Sequence, residues 1–332
     1  MFLMFVVLSV NQANAQDAQS LITEGNQLST NKDYTDAIEK YKAALALEGG
    51  NITAKYQLGF ALNAAGKGKD AIPYLQDAAN NSSNTAIKSS CFSLLGSIYD
   101  RTGLPKDAIT NYREAIKLDS ANYALPYGLG LAYFRNQQYD DAELAAIKAL
   151  NLNHSAAPSM RLYALVTFHQ NKRAPALLGL LSFLWMDPNG TRAAEANENI
   201  QHIIDGGVLK PDPSTPPIRV SAGSAALNAA ISAAANMAAQ QKPATADLFT
   251  QQLKAILIAV NQQANGQIAG SAFATQLLGF YSKLAQSAHL NAFAHYVRQS
   301  VNKTDAAWLT AHPQQVAALK DWVKNAGHPI LQ

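Results

Sequence analysis

The sequence has one cysteine, few charges and no apolar run long enough to cross a bilayer. Because Cys91 is the only cysteine among the 332 residues, no disulfide can form within one chain. Charged residues make up 15% of the sequence, the formal net charge is +3, and lysines and arginines never form a run of five or more. This distribution argues against the basic footprint of a nucleic-acid-binding protein and against the polybasic patch of a membrane-surface protein.

Patterns that would indicate a catalytic, metal or cofactor site are also missing. The sequence contains no Gly-x-Ser-x-Gly, no His-Glu-x-x-His, no P-loop and no dinucleotide-binding glycine pattern. The histidines lack a metal-binding spacing: His289 and His295 are six residues apart and belong to different faces of a helix. Carboxylates are sparse in the C-terminal part, which makes a pair of catalytic acids hard to assemble there. We therefore expect no enzymatic activity, no metal and no cofactor.

The N-terminal residues have the pattern of a signal peptide. The apolar run over residues 2–10 is too short to span a bilayer, and the small-x-small sequence Ala13-Asn14-Ala15 follows it. We expect a signal peptide over residues 1–15 and export to the periplasm or the medium. No cysteine stands at the cleavage site to carry a lipid, so the exported form should be soluble, without a lipid anchor and without stable membrane insertion. No Lys or Arg precedes the run, which leaves open an upstream start or a buried N-terminal helix.

A repeat of 34 to 37 residues is the strongest pattern in the sequence. Four glycines mark it, and a fifth copy has Ala164 in the glycine place. The glycines are Gly25, Gly59, Gly96 and Gly130. Alanines recur at two fixed places after each glycine: Ala37, Ala71, Ala108 and Ala142, then Ala44, Ala78, Ala115 and Ala149. Small residues at fixed places predict two helices that cross closely in each copy, with each glycine meeting an alanine.

Helical spacing and turn chemistry support two helices in each copy. Apolar residues recur at helical intervals between residues 56 and 62 and again between 71 and 78. Turn-forming residues separate the two runs at 31–33, 66–68 and 102–103. Three extra residues lie between the second and third copies. We expect them to lengthen the loop near residues 80–84.

These copies resemble the tetratricopeptide-repeat (TPR) family over about residues 18–190. The resemblance is carried by the Leu-Gly step, by a Tyr-x-x-Ala-Ile helix start and by an Ala-Ile-Lys-Leu-Asp helix end. These motifs stand at Leu58-Gly59, Leu95-Gly96 and Leu129-Gly130, at Tyr34 to Ile38, and at Ala115 to Asp119. Glu24 departs from the pattern because it stands where a leucine is usual, and most copies lack the proline that usually begins the next repeat.

The resemblance and the helical patterns together predict an all-α protein. We expect a TPR-type helix-turn-helix solenoid of five repeats over residues 18–204, closed by a polar capping helix at residues 193–204. A Pro/Gly-rich linker should occupy residues 205–219, and a smaller all-helical C-terminal domain residues 220–332. A poorly conforming continuation of the solenoid is the alternative for that last part.

The resemblance also implies where a partner would bind. In this family the first helix of each pair lines a concave groove, and aromatic and arginine side chains are common in protein interfaces. The groove-facing candidates are Tyr56, Phe60, Arg101, Tyr127, Leu131, Phe134, Arg135, Arg161 and Phe168, with Ile22 at the N-terminal end. For any one of them a role in the core between repeats is an equal alternative. The Lys/Asn arrangement by which some family members hold a C-terminal carboxylate is not matched.

The function predicted from the sequence is an exported, non-catalytic TPR scaffold that binds a protein or peptide partner. The identity of the partner and the oligomeric state are open. One alternative gives the C-terminal domain an unrecognised enzymatic activity and makes the repeats its docking module. A weaker alternative is a homo-oligomer built through exposed faces of the solenoid.

Overall fold

A computed structural model describes residues 2–206, 220–241 and 247–328, with side chains from Ala15 onward. Over these residues the chain contains helices and no strands, which confirms the predicted all-α class. The chain divides into two compact units, Met1–Asn136 and Gln137–Gln332. The boundary therefore falls inside the fourth repeat, between its two helices.

The first unit consists of consecutive helices that pack in pairs, each pair against the next. Its helices are α1 (Phe2–Thr30), α2 (Tyr34–Leu47), α3 (Ile52–Ala64), α4 (Gly68–Asn81), α5 (Thr85–Arg101), α6 (Pro105–Leu118) and α7 (Ala124–Arg135). Asn51 and Asn84 cap α3 and α5 by accepting hydrogen bonds from first-turn amides. The three extra residues of the third copy lengthen α5, which has 17 residues against 13 in α3. The expectation of a longer loop was wrong, because Asn84 starts the helix early.

The turn inside each repeat contains one residue in the left-handed region. These residues recur once in every copy, with positive φ angles between 54° and 79°: Lys32, Gly66, Gly103, Gln137 and Asn171. The next amide then reaches back to the preceding helix, as Lys67 N does to Leu62 O at 2.8 Å, which is the bond that closes a helix C-terminus. The predicted turn positions are confirmed, although two of the copies, with Lys32 and Gln137, use a residue for which this conformation is strained.

The repeat glycines make room for a large side chain of the second helix. A Cβ placed on Gly59 would lie 2.5 Å from Cδ2 of Leu75, and one on Gly25 would lie 2.6 Å from Cε1 of Tyr41. Both partners follow their glycine by the same interval of sixteen residues and are fully buried. The expectation that each glycine meets an alanine was wrong: the glycine is needed because a bulky residue, rather than a small one, lies opposite it.

The second unit contains the second helix of the fourth repeat, the fifth repeat and the C-terminal helices. Its helices are α8 (Tyr139–Leu152), α9 (Ala157–His169), α10 (Arg173–Met186), α11 (Ala193–Ile204), α12 (Ala222–Gln240), α13 (Leu248–Gln263), α14 (Ala272–Gln286), α15 (Leu290–Arg298), α16 (Lys303–Ala311) and α17 (Pro313–Asn325). Helix α11 has the bounds predicted for the capping helix, but it packs against both α10 and α12, so its role as a cap stays a prediction.

Helix α10 lies at the centre of the second unit. Every residue from Arg173 to Leu184 is buried, because α12, α14 and α15 of the C-terminal part pack against it. Ser182 Oγ lies 3.0 Å from the hydroxyl of Tyr281. The last repeat and the C-terminal helices therefore share a core within this unit. The linker predicted at residues 205–219 lies largely outside the described residues, so the domain boundaries drawn from the sequence stay a prediction.

The predicted cleavage site lies within helix α1, which continues from Phe2 to Thr30. The first side chains of this helix that are described as buried are Ala18 and Ile22. Ile22 belongs to the core of the first unit and does not face a groove, which corrects its placement among the groove candidates. Among the described residues, none of the helices combines the length and the apolar character needed to cross a membrane.

Candidate functional site

The first helices of repeats two to four bring most of the predicted groove residues onto one face of the first unit. Helix α3 contacts α5, and α5 contacts α7. We call the surface formed by Phe60, Arg101, Tyr127, Leu131, Phe134 and Arg135 the repeat face. Arg101 and Arg135 are exposed on it, Phe60 is 36% exposed, and the remaining three are half-buried. Tyr56 is half-buried too, but it packs against the core.

Polar contacts join neighbouring repeats along this face. Arg101 on α5 donates to Asn63 on α3 and, at 3.4 Å, to the carbonyl oxygen of Ser97. Arg135 on α7 forms an ion pair with Asp100 on α5, and the Asp100 side chain is only 6% exposed. The arginines thus have structural roles between repeats, as the alternative assignment to inter-repeat packing suggested. They differ in one respect: Arg135 is neutralised by a carboxylate, whereas Arg101 is held by neutral groups.

Tyr112 forms the floor beneath the two helices that carry most of the repeat face. The glycines Gly96 and Gly128 leave room for its ring, since a Cβ on either would lie 2.5 to 3.0 Å from ring atoms. Burial raises the pKa of Tyr112, while a hydrogen bond with Ser97 and the charge of Arg101 partly oppose that rise. Tyr112 is not among the site residues predicted from the sequence. The sequence feature that could have indicated this role is Gly128. This second glycine stands two residues before Gly130 and has no counterpart in the other copies.

The two remaining candidates belong to the second unit and contact α11. Arg161 Nη2 lies 2.6 Å from Oε1 of Glu195. Phe168 is only 3% exposed, and its ring packs edge-on against His202 at 5.9 Å between centroids. Phe168 is therefore a core residue in this structure, because α11 covers it. This corrects its prediction as a groove contact, and Arg161 is likewise engaged within the unit.

Comparison with protein-family models decides the family. Two models described as "Tetratricopeptide repeat" match the chain, one at residues 28–89 and the other at residues 94–159. The chain is a TPR protein. Together the two matches run from the first repeat into the fifth.

Solved structures that resemble this TPR protein share little sequence with it. A structure titled "Crystal structure of YrrB: a TPR protein with an unusual peptide-binding site" is 21% identical, with a TM-score of 0.48, and covers 56% of this chain and 95% of its own. A MamA structure is also 21% identical, with a TM-score of 0.48, and covers 54% and 95%. MamA from Desulfovibrio magneticus RS-1 is 16% identical, with a TM-score of 0.48 and coverages of 52% and 95%. No curated protein matches the chain.

The C-terminal helices of the TPR protein contain a buried network of charges. His295 Nδ1 lies 2.7 Å from Oδ1 of Asp305, and Arg298 reaches both Asp305 at 2.9 Å and Asp247 at 3.3 Å. Trp308 stacks on the His295 ring at 4.2 Å between centroids. Two carboxylates that are far apart in sequence therefore do come together. Arg298 forms ion pairs with both of them, so the network ties the start of α13 to α15 and α16 and has the arrangement of a structural clamp.

Proposed function

We propose that the repeat face binds a segment of a partner protein that carries a carboxylate beside apolar side chains. A TPR array is a scaffold compatible with protein–protein interaction. The observation that carries the finer proposal is the state of Arg101. It is exposed, and its side-chain hydrogen bonds go to a neutral amide and a carbonyl oxygen. Among the described residues its charge is not cancelled by an ion pair, so it is held in place and still able to attract a partner's carboxylate.

The apolar part of the face lies beside this arginine. Phe60 is partly exposed, and Leu131 is half-buried on α7. Aromatic rings beside an arginine are the residue types that dominate binding energy in protein interfaces, because they bury much area and still offer donors. Arg135 contributes less to partner binding in this proposal, since it already forms an ion pair with Asp100.

The proposal can be tested without knowing the natural partner. A displayed library of random peptides is selected on the immobilised protein, and the affinity of enriched peptides is measured by fluorescence anisotropy. We expect enriched peptides to combine Asp or Glu with large apolar residues. Arg101→Gln should weaken their binding by about tenfold or more, as loss of an interface hot spot does.

Lys106→Gln is the matched control for charge, because Lys106 is exposed on α6, a second helix away from the repeat face. It should leave the affinity unchanged, and circular dichroism should show that both variants are folded. Peptides that bind the Arg101 variant as tightly as the unaltered protein would refute the proposal, and so would a selection without enrichment.

We also propose that the protein is exported after cleavage behind Ala15. The support is the apolar run over residues 2–10 and the small residues that follow it. Cleavage there would keep Ala18 and Ile22, so the core residues of the first repeat would be preserved. N-terminal sequencing of the protein from the envelope or medium should find Gln16. A cytoplasmic protein that retains Met1 would rule export out.

A further inference from the structure

A cleft of about 550 Å³ opens within the second unit where three helices begin. The starts of α10, α12 and α14 all lie along it, represented by Arg173, Ser221 and Ser271. One wall is apolar and is formed by side chains from several elements. These are Leu144, Ile147, Pro175, Leu227, Ile268 and Phe273. A cleft of this size with an apolar wall and a few convergent polar groups has the character of a small-molecule site.

The polar end of the cleft is suited to a negative charge. The first amides of a helix have no acceptor within the helix and carry a partial positive charge. Ser221 Oγ accepts from Ser224 N and Ser271 Oγ from Ala274 N, and the first amide of α10, Arg173 N, donates to Oδ1 of Asn228 at 3.1 Å. The partial positive charges of three helix starts therefore lie along one cleft.

Arg173 supplies an independent reason to expect an anion. Its side chain is among those that line the cleft, and the residue is only 7% exposed. Nη1 donates to Ser232 Oγ at 3.1 Å and Nη2 to the carbonyl oxygen of Gly206 at 2.9 Å, and both acceptors are neutral. Nε has no hydrogen bond within the described part of the chain, and no carboxylate of that part forms an ion pair with Arg173. Buried charges are normally paired, and this one has no counter-ion among the described residues.

The neighbouring lysine limits how much negative charge the cleft can take. Lys172 Nζ lies 2.7 Å from Oε2 of Glu143 and is therefore already neutralised. Asp140 lies farther away, at 3.9 Å, and is largely exposed. A ligand with a single negative charge balances Arg173, whereas a doubly charged phosphate would leave one negative charge in the cleft without a counter-charge.

We propose that this cleft binds a small ligand with one carboxylate and an apolar body, of which a medium-chain fatty acid is the simplest example. The carboxylate lies at the three helix starts beside Lys172 and Arg173. The apolar body packs along the wall that includes Leu144 and Phe273. This site is separate from the repeat face, so its test does not depend on the proposed partner binding.

The test uses the full chain and dodecanoate below its micelle concentration, with binding measured by isothermal titration calorimetry. Dodecanol and dodecyltrimethylammonium carry the same tail with a neutral and a positive head. We expect saturable binding of one dodecanoate per chain and no saturable binding of the other two compounds. No binding of dodecanoate, or equal binding of all three compounds, would overturn the proposal.

Leu144→Glu and Leu152→Glu form a matched pair of variants on α8. Leu144 lines the cleft and is 66% exposed, and Leu152 is 40% exposed and does not line it. Both positions should tolerate a polar residue in the folded protein. A carboxylate at 144 should weaken dodecanoate binding by about tenfold or more because it places a charge against the ligand's apolar body, while one at 152 should change it by less than about twofold because residue 152 does not line the cleft. Equal effects of the two variants would refute the assignment of the cleft.

Discussion

The close contact between Gly59 and Leu75 makes the packing of the repeats open to a quantitative test. In Gly59→Ala, the added Cβ would lie 2.5 Å from Cδ2 and 2.6 Å from Cγ of Leu75. Carbon atoms pack best at about 3.5–4.0 Å, so one of the two helices must move by about 1 Å. Leu75 is fully buried, and Cγ is not the free end of its side chain, so the contact cannot be relieved by a simple rotation.

Two opposing terms set the size of the effect. An alanine favours the helix over a glycine by about 0.8–1 kcal/mol, and overpacking a tight core costs about 1–3 kcal/mol. A clash of 2.5 Å with a buried side chain belongs to the upper half of the overpacking range, so Gly59→Ala should destabilise the first unit by about 1–2 kcal/mol. Urea unfolding followed by circular dichroism gives the change, and hydrogen exchange of peptides from α3 and α4 shows whether it is local.

Gly279→Ala is the matched control for the helix term. Gly279 lies inside α14, is exposed, and has no atom within 4 Å of where a Cβ would be. The same substitution should here stabilise the protein by up to about 1 kcal/mol. Opposite signs at the two glycines would show that the packing contact, rather than helix propensity, decides the outcome at Gly59.

A double-mutant cycle tests the cause directly. Leu75→Ala alone should cost about 2–5 kcal/mol because it leaves a cavity. In that background the methyl group of Gly59→Ala has space, so its cost should disappear or change sign, with a coupling of about 1–3 kcal/mol. If Gly59→Ala is neutral on its own, or costs the same in both backgrounds, the steric argument is wrong.

The strained turn, the Asp100 ion pair and the buried His328 each have a measurable consequence. Lys32→Gly should raise the free energy of unfolding by roughly 0.5–1 kcal/mol, because Lys32 has a φ of 66°; an unchanged midpoint in urea would contradict this. Arg135→Ala should cost about 1–2 kcal/mol by leaving Asp100 buried without its partner, and Arg101→Ala under about 0.5 kcal/mol; equal costs would refute the distinction. Burial lowers the pKa of His328 from 6.5 to about 4, so the unfolded chain takes up a proton between these values and the folded one does not. Stability should fall as pH drops through that range, and His328→Phe should flatten this part of the profile; an unaltered slope in urea titrations would count against it.

Periodicity in the sequence was sufficient to predict the helices. The glycine and alanine intervals predict both helices of each repeat and the turn between them, and the structure confirms that the part after residue 220 is helical, in α12 to α17. This succeeds because helix formation depends on local spacing and on capping residues such as Asn51, both of which are visible in the sequence. The third copy is an exception, because its three extra residues were expected in a loop. They lengthen helix α5 instead, since Asn84 caps that helix at an earlier position.

Packing between helices was harder to predict, because it depends on residues far apart in the sequence. Helix α10 shows the difficulty. The run from Arg173 to Met186 is apolar on all sides, which indicates a helix covered from every direction, but the pattern does not say what covers it. The arginines present the same problem. The sequence predicts that Arg101 and Arg135 lie on the same face. Only the structure shows that Arg135 forms an ion pair with Asp100 and that Arg101 donates a hydrogen bond to Asn63.

The contacts within the two units make the repeat face the strongest candidate for partner binding. The fifth repeat uses its predicted groove residues internally, since Arg161 pairs with Glu195 and Phe168 is buried against α11. Its second helix is covered by the C-terminal helices. A partner that needs exposed aromatic and cationic groups therefore finds them on α3, α5 and α7. Among these groups Arg101 combines exposure with a charge that no ion pair in the described chain cancels, so a substitution there should change binding without a matching change in stability.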